Sequence, residues 1–391
     1  MHDRFAGPAD PRPAHVGADE LRDRLARLRV RIGAEGLDAL LVFAPESHYW
    51  ATGLDTGGYV FFQCGIVPVQ GDLTLLTRRP DLAQARDTSL YPDIRVWYDA
   101  VDAAPAAELR AILAEKGLAG ARIGIERATY GLTAANGRAV DIALDGFCTL
   151  IDADHLIRRM RLVKSASEVT VIRRAAALAD AAVAAMRAAA APGILDSVLT
   201  ARCLATILEG GGDMPPAGPL VNSGRRAIYG RGVAGPRRLE PRDQVVVEFA
   251  ATLHRYNACI ERTILLGEPP AAQRRMAETV ARAMDAMVDA ARPGAPIGAI
   301  GEAHRRVLDA AGYTHARFAA CGYPLGATFR PSWMDVPPMI HAGNPWPIEP
   351  GMVLFPHAML GDAETGLAFG AGDTILITPT GAERLTVAPF L

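Results

Sequence analysis

Two apolar runs joined by one short turn constrain this chain more than any other feature. Val245 to Ala250 and Tyr256 to Leu266 are rich in β-branched and apolar residues, and Leu253-His254-Arg255-Tyr256 lies between them. The pattern predicts paired strands over 244–250 and 256–266, with His254 exposed in a hairpin turn. Alternate residues of a strand share a face, so Asn257, Cys259 and Glu261 point one way, and Val246, Glu248 and Ala250 share a face on the strand before. A hairpin can thus bring Glu248 and Glu261 together. Glu248 stands inside Val-Val-Val-Glu-Phe, where a carboxylate is rarely a mere solvated group.

The surrounding pattern predicts two domains. A start over residues 1–17, polar and proline-rich, reads as flexible and carries no secretory signal. Residues 18–157 alternate helical and strand-like segments: a helix over Ala18–Gly36, a buried strand over Ala39–Phe43, strand-like runs at Val60–Val69, Leu73–Leu76 and Ile94–Trp97, a helix over Ala104–Lys116, and strands near Arg122–Ile125 and Thr149–Ile151. This is a small α/β domain. Residues 158–391 form the second, entered through Ser165-Ala-Ser-Glu168, a capping box for a long alanine-rich helix. Helices over 271–291 and 296–311 follow the paired strands, and a second strand-rich half mirrors the first.

Charge and cysteine usage narrow the function. A net charge of −2 gives no field to gather nucleic acid or an anionic membrane, and no stretch of 18 apolar residues occurs, so a small molecule is the expected partner. Five scattered cysteines with no C-x-x-C pair argue against a disulfide framework or a zinc cluster and suit a reducing, cytoplasmic location. No phosphate-cradling glycine motif follows a strand, so no nucleotide cofactor has a signature, and no cofactor is expected.

A series of segments in the second domain carries a family resemblance: Arg161-Leu-Val-Lys164 with Glu168, Gly211 to Pro216, Val221-Asn-Ser-Gly224, Arg242-Asp243, Glu261-Arg262-Thr263, Cys321-Gly-Tyr-Pro-Leu-Gly326, Glu349-Pro-Gly-Met352 and Asp373 to Thr378, closing on Thr380-Gly381. In order and spacing they resemble the pita-bread superfamily of methionine aminopeptidases, prolidases, aminopeptidase P, creatinase and ectoine hydrolase. The resemblance implies an α+β chain: a pita-bread C-terminal domain with a smaller α/β creatinase-like N-terminal domain. Metal-dependent members hold two ions on five side chains, whose positions here carry Glu248, Cys259, Tyr323, His357 and Gly372. Glu248 and Cys259 keep the eleven-residue spacing (259 − 248), yet a tyrosine and a glycine replace two ligands. Two hard divalent ions want several oxygen and imidazole donors, so no metal site is expected; a single soft ion on Glu248, Cys259 and His357 is the alternative.

The resemblance points to the metal-free branch of creatinase and ectoine hydrolase. Glu261 matches the creatinase glutamate that grips a guanidinium, while Arg231 stands where creatinase has a proton-shuttling histidine and His357 where it has a glutamate. Glu248, Glu261, His357 and Tyr323 are the candidate catalytic residues. Two half-buried carboxylates push one pKa upward, giving a proton carrier near neutral pH and one fixed anion that attracts a flat cation. Candidate substrate-binding residues are Arg231, Tyr229, Arg226, Cys259 and Trp333, with Tyr59 and Phe61 of the small domain. The arginines suit a carboxylate clamp, though solvated surface serves equally for them, as core capping does for Tyr323 and Trp333. Arg262 reads as structural, pairing a buried carboxylate. Cys259 or Cys321 beside His357 would make a thiol amidase instead.

The expectation is a homodimeric, metal-independent hydrolase of a C–N bond (amide, amidine or cyclic amidine) in a small zwitterion, the small domain of one subunit helping to close its partner's site. Such a bond is non-peptide or peptide-like. The alternatives are metal-dependent Xaa-Pro dipeptidase, aminopeptidase or lyase activity, and a catalytically inactive ligand- or peptide-binding module.

Overall fold

The computed structural model describes residues 16–391, so most of the flexible start expected over 1–17 lies outside the described residues; Val16 is buried and Gly17 caps the first helix. The described residues fall into two compact units that divide between Arg161 and Leu162, a few residues past the expected 157/158.

The first unit has helices α1 (Ala18–Ala34), α2 (Pro45–Thr52), α3 (Leu82–Thr88), α4 (Pro105–Glu115), α5 (Ala134–Leu144) and α6 (His155–Leu162). Its strands are β1 (Ala39–Val42), β2 (Cys64–Pro68), β3 (Thr74–Arg78), β4 (Asp93–Trp97), β5 (Arg122–Ile125) and β6 (Thr149–Asp152), ordered β4-β3-β2-β1-β5-β6. Leu40 and Val42 enter one apolar cluster and Ala39 and Leu41 another. The sheet is therefore covered on both faces, which is why β1 reads as an unbroken apolar run rather than an alternating one.

Four helices of this unit, α2, α3, α5 and α6, escaped the sequence pattern. In α2 every residue except Glu46 is buried, so it has no polar face and no helical period to detect. The strand expected over Val60–Val69 starts only at Cys64. Gly58–Val60 form one 3-10 turn, at which a Cβ on Gly58 would stand 2.6 Å from Asp81 Cγ and 2.7 Å from Gln63 Nε2.

The second unit adds helices α7 (Ala166–Ala189), α8 (Ser197–Glu209), α9 (Ala271–Ala290) and α10 (Gly298–Ala310). Its strands are β7 (Leu220–Ser223), β8 (Asp243–Leu253), β9 (Tyr256–Leu266), β10 (Gly322–Pro324), β11 (Val353–Gly361), β12 (Ala368–Gly372), β13 (Ile375–Thr378) and β14 (Gly381–Arg384). They run β14-β13-β11-β12-β9-β8-β7, with β10 paired to β11. The capping box forms: Ser165 Oγ accepts from Glu168 N at 3.3 Å and Glu168 Oε2 from Ser165 N at 2.7 Å, a device worth about 1 kcal/mol. Glu168 Oε1 also accepts from the Tyr256 hydroxyl at 2.6 Å, tying α7 to the start of β9.

The hairpin between β8 and β9 closes through His254 and Arg255, both at positive φ (47° and 66°). This is the two-residue turn whose twist matches the flanking strands. His254 is half-buried, not exposed as expected, and Arg255 stacks over the Phe329 ring at 4.6 Å.

Side chains of these strands alternate between two environments. Val245, Val247, Phe249 and Ile260 pack under α7 and α8, and Leu354, Ala358, Leu360, Phe369 and Ala371 pack under α9 and α10. The alternate residues, including Glu248, Glu261, His357, Gly370 and Gly372, occupy the other face. Among the described residues no helix is long and apolar enough to cross a membrane.

Candidate active site

Strand register builds the site. Glu248 on β8 stands opposite Glu261 on β9, Glu261 opposite Gly372 on β12, and Gly372 opposite His357 on β11. One rung across four strands thus carries two carboxylates, a glycine and an imidazole, all on the helix-free face. Tyr323 joins from β10, opposite Phe355. The four candidate catalytic residues are brought together.

Hydrogen bonding distinguishes the two carboxylates. An indole N–H can only donate, so Trp333 Nε1 donates to the Tyr323 hydroxyl at 2.8 Å, and the single hydroxyl proton goes to Glu248 Oε1 at 2.7 Å. Glu248 is therefore held by a committed donor. Glu261 is 3% exposed, and its Oε2 and His357 Nδ1 are buried atoms without another hydrogen-bond partner. They face each other at 3.4 Å, an ion-pair separation rather than a well-directed hydrogen bond.

Burial, reinforced by the charge of Glu248, pushes the Glu261 carboxyl above the usual range although His357 pulls it down. Burial disfavours the His357 imidazolium, but the carboxylates of Glu261 and Glu248 outweigh it and hold the ring above the ordinary histidine range. The imidazole stacks on Phe355 with centroids 5.4 Å apart. Its proton belongs to the pair, which titrates as one unit.

Two glycines shape the gap. A Cβ on Gly370 would stand 2.1 Å from Glu261 Oε1 and 2.8 Å from Met359 Sδ. A Cβ on Gly372 would stand 2.6 Å from Phe355 Cζ and 2.7 Å from His357 Cβ. The first glycine makes room for the Glu261 carboxylate, and the second is roofed by two rings. Thr263 Oγ1 and Gly370 exchange hydrogen bonds at 2.8 and 2.9 Å, holding β12 at this distance. The residue pattern alone passes over Gly370. Its signal is the alternation in Ala368-Phe-Gly-Ala-Gly372, where small residues at every second position mark one face left for neighbours.

A dinuclear metal centre does not fit these residues. Two of the five ligand positions hold a phenol already donating to Glu248 and a glycine whose side-chain space is filled by Phe355 and His357. Among the described residues no three His, Cys, Asp or Glu side chains converge as a cation site, which also disfavours the single soft ion on Glu248, Cys259 and His357.

The remaining candidates separate. Cys259 is fully buried with Sγ 3.7 Å from the Tyr323 hydroxyl, and burial together with Glu248 pushes its thiol far above the usual range. A neutral thiol so placed lies against the Tyr323 hydroxyl. Burial likewise pushes the Cys321 thiol up to about 12. Trp333, 6% exposed, donates its N–H to Tyr323. Arg226 spends a guanidinium nitrogen on the Gly235 carbonyl, and Tyr229 and Arg231 are exposed in the intervening loop. Arg231 is close enough for its charge to oppose protonation of His357. In the first unit Tyr59 is buried, while Phe61 is 43% exposed beneath the Arg78 guanidinium, 4.0 Å from its ring centre. Arg262 pairs with buried Asp373 at 2.6 Å, so the carboxylate expected for it is Asp373.

Comparison with known proteins agrees with this architecture. Residues 170–379 match metallopeptidase family M24, and residues 24–163 match the creatinase/prolidase N-terminal domain. The chain is similar to an uncharacterized hydrolase/peptidase of Sinorhizobium fredii, 26% identical over 96% of this chain and 97% of the other. It is also similar to the ectoine hydrolase of Halomonas elongata, 25% identical over 95% and 96%. Among solved structures, the prolidase from Thermococcus sibiricus superposes with a TM-score of 0.86 at 20% identity, over 95% of this chain and 98% of that one, and so shows the fold.

Proposed function

The chain belongs to metallopeptidase family M24 and carries a creatinase/prolidase N-terminal domain, and on that footing we propose that it is a metal-independent hydrolase of a C–N bond in a small zwitterion bearing an amidine or cyclic amidine. One observation carries the reading: Glu248 and Glu261 oppose each other across β8 and β9, with His357 against Glu261 and no side chain at Gly372. Two opposed carboxylates beside one imidazole suit a flat cation better than a metal cage. Similarity to the ectoine hydrolase over 95% of this chain points the same way.

The chemistry follows from where each proton is held. Glu248, fixed by Tyr323, is the anion that receives the amidinium. His357, oriented by Glu261, takes a proton from water as that water attacks the amidine carbon. The amidinium charge collapses in the tetrahedral adduct, and the dyad returns its proton to the departing nitrogen. Water and amidine give an amide and an amine; Arg231 receives the substrate carboxylate. The enzyme is a homodimer of a reducing, cytoplasmic compartment in this reading, with the exposed Phe61, rather than the buried Tyr59, helping to close the partner's site.

Two outcomes check the roles. Because His357 must be neutral to accept a proton, kcat/KM falls on the acid side through an apparent value above the ordinary histidine value of about 6.5, and in Glu261→Gln the residual activity falls at lower pH because the carboxylate that raises His357 is gone. An acid limb below about 6.5 that Glu261→Gln leaves in place contradicts the dyad. Gly370→Ala drives a methyl against the buried Glu261 carboxylate and Met359, so kcat drops about 100-fold at an overpacking cost of about 1–3 kcal/mol. Unchanged kcat would show that the Glu261 carboxylate position is immaterial. The reading as a whole is tested by thermal-shift screening of creatine, ectoine, cyclic amidines and X-Pro dipeptides, since a ligand bound to the folded state raises apparent stability. Stabilisation by X-Pro dipeptides alone would favour a peptidase.

A further inference from the structure

We propose that Asn222, on the strand beside Glu248, is a positioning residue: its buried amide holds the loop from Tyr229 to Gly232 so that Arg231 stands as the carboxylate-binding arm of the site. The inference rests on the zwitterionic substrate of the proposed function.

Asn222 is 3% exposed on β7, opposite Val246, two residues from Leu220, which stands opposite Glu248. Its side chain therefore belongs to the site face of the sheet. Both hydrogens of Nδ2 are used on the loop, one on the Tyr229 carbonyl at 3.0 Å and one on the Arg231 carbonyl at 3.3 Å. Nothing on the Oδ1 side explains the amide, because that atom is buried with no hydrogen-bond partner. Leaving it so is costly. The donor side is what the amide contributes.

The loop needs such an anchor. Residues 229–236 are all exposed and include Gly230, Gly232 and Gly235, so fixing this stretch costs more backbone entropy than fixing other residues. Two glycines lie against the protein on either side of Arg231: a Cβ on Gly230 would stand 3.4 Å from the Phe318 ring, and one on Gly232 would stand 3.4 Å from Leu220 Cδ2. The Arg231 backbone is thus pinned one strand from Glu248. With its carbonyl held and Nη1 donating to the Gly230 carbonyl at 2.8 Å, the guanidinium keeps Nε and Nη2 to meet a carboxylate with two parallel N–H donors. A ligand whose cation sits on Glu248 and Glu261 and whose carboxylate meets Arg231 is fixed at both ends.

Calorimetric titration separates this from a general structural role. The probes are ectoine and its decarboxylated ring, the proteins the full chain, Asn222→Leu, Arg231→Ala and the double variant. Asn222→Leu is expected to weaken ectoine binding about 10- to 100-fold, as loss of a charge-assisted contact does, and to leave the decarboxylated ring unaffected. Arg231→Ala should do the same, and the double variant no worse than either single one, because both remove one interaction. Equal weakening toward both probes, or additive losses, would overturn the role of Asn222 while leaving the reaction standing. A parent chain that binds neither probe would overturn the reading of the site and this inference with it. Should Asn222→Leu not fold, Asn222→Ser, which keeps a single donor, enters the same cycle, and the same pattern of losses decides for or against the anchor.

Discussion

Glu261→Gln lowers kcat/KM by about 10²- to 10⁴-fold, the range associated with losing a positioned proton-transfer group, while the thermal melt moves far less. Two opposed effects on the fold explain the difference. Glu261 is buried and carries its carboxyl above the usual range through desolvation, although His357 pulls it down. A group raised in this way contributes stability at low pH that is lost as the pH rises through the raised value. The amide removes that burden of a buried carboxylate and, with it, the ion pair to His357. Catalysis loses the group that orients His357 and raises its basicity. Steady-state kinetics beside a thermal melt decide it; near-parental kcat/KM in a folded Glu261→Gln would remove Glu261 from the mechanism.

Arg262→Met carries the largest expected cost to the fold, about 3–5 kcal/mol, as when one partner of a buried ion pair is deleted. The guanidinium donates to Asp373 Oδ1 at 2.6 Å, to the Glu261 and Gly372 carbonyls at 2.7 Å each, and to the Ala388 carbonyl at 2.9 Å through Nε and 2.6 Å through Nη2. It also lies over the Phe390 ring at 4.8 Å. One side chain therefore fastens the C-terminal segment to β9 and β12 at the rung that carries Glu261. Arg384 remains near Asp373, with Nε 3.2 Å from Oδ2, and keeps the orphaned carboxylate from standing wholly alone. Denaturant unfolding reports the loss; a change under about 1 kcal/mol, the size of an exposed pair, would contradict a structural role.

Much of the second unit was legible because its strands obey a simple rule. The run around Glu248 alternates helix-facing Val247 and Phe249 with site-facing Val246 and Glu248, so the hairpin and the pairing of glutamates followed from a period of two. The capping box at Ser165 and Glu168 was legible for the same local reason. Long-range partners were not. Trp333 and Tyr323 are ten residues apart, and their chain of donors ends on Glu248, seventy-five residues from Tyr323; only the fold brings them together. The contacts of Trp333 and Cys259 with Tyr323 were therefore out of reach of the pattern. Gly370 is marked only by the alternation of small residues along β12, and Asn222 acts through backbone carbonyls, which no residue pattern announces. In the first unit α2 is buried on nearly every side, so amphipathicity could not betray it.

Catalysis without metal is the central claim. Elemental analysis of the purified chain, read beside hydrolysis of its best-binding amidine before and after exhaustive chelation, tests it most directly. The expected result is substoichiometric metal and turnover that chelator leaves untouched. One or two ions per chain, lost to chelator together with activity, would contradict it.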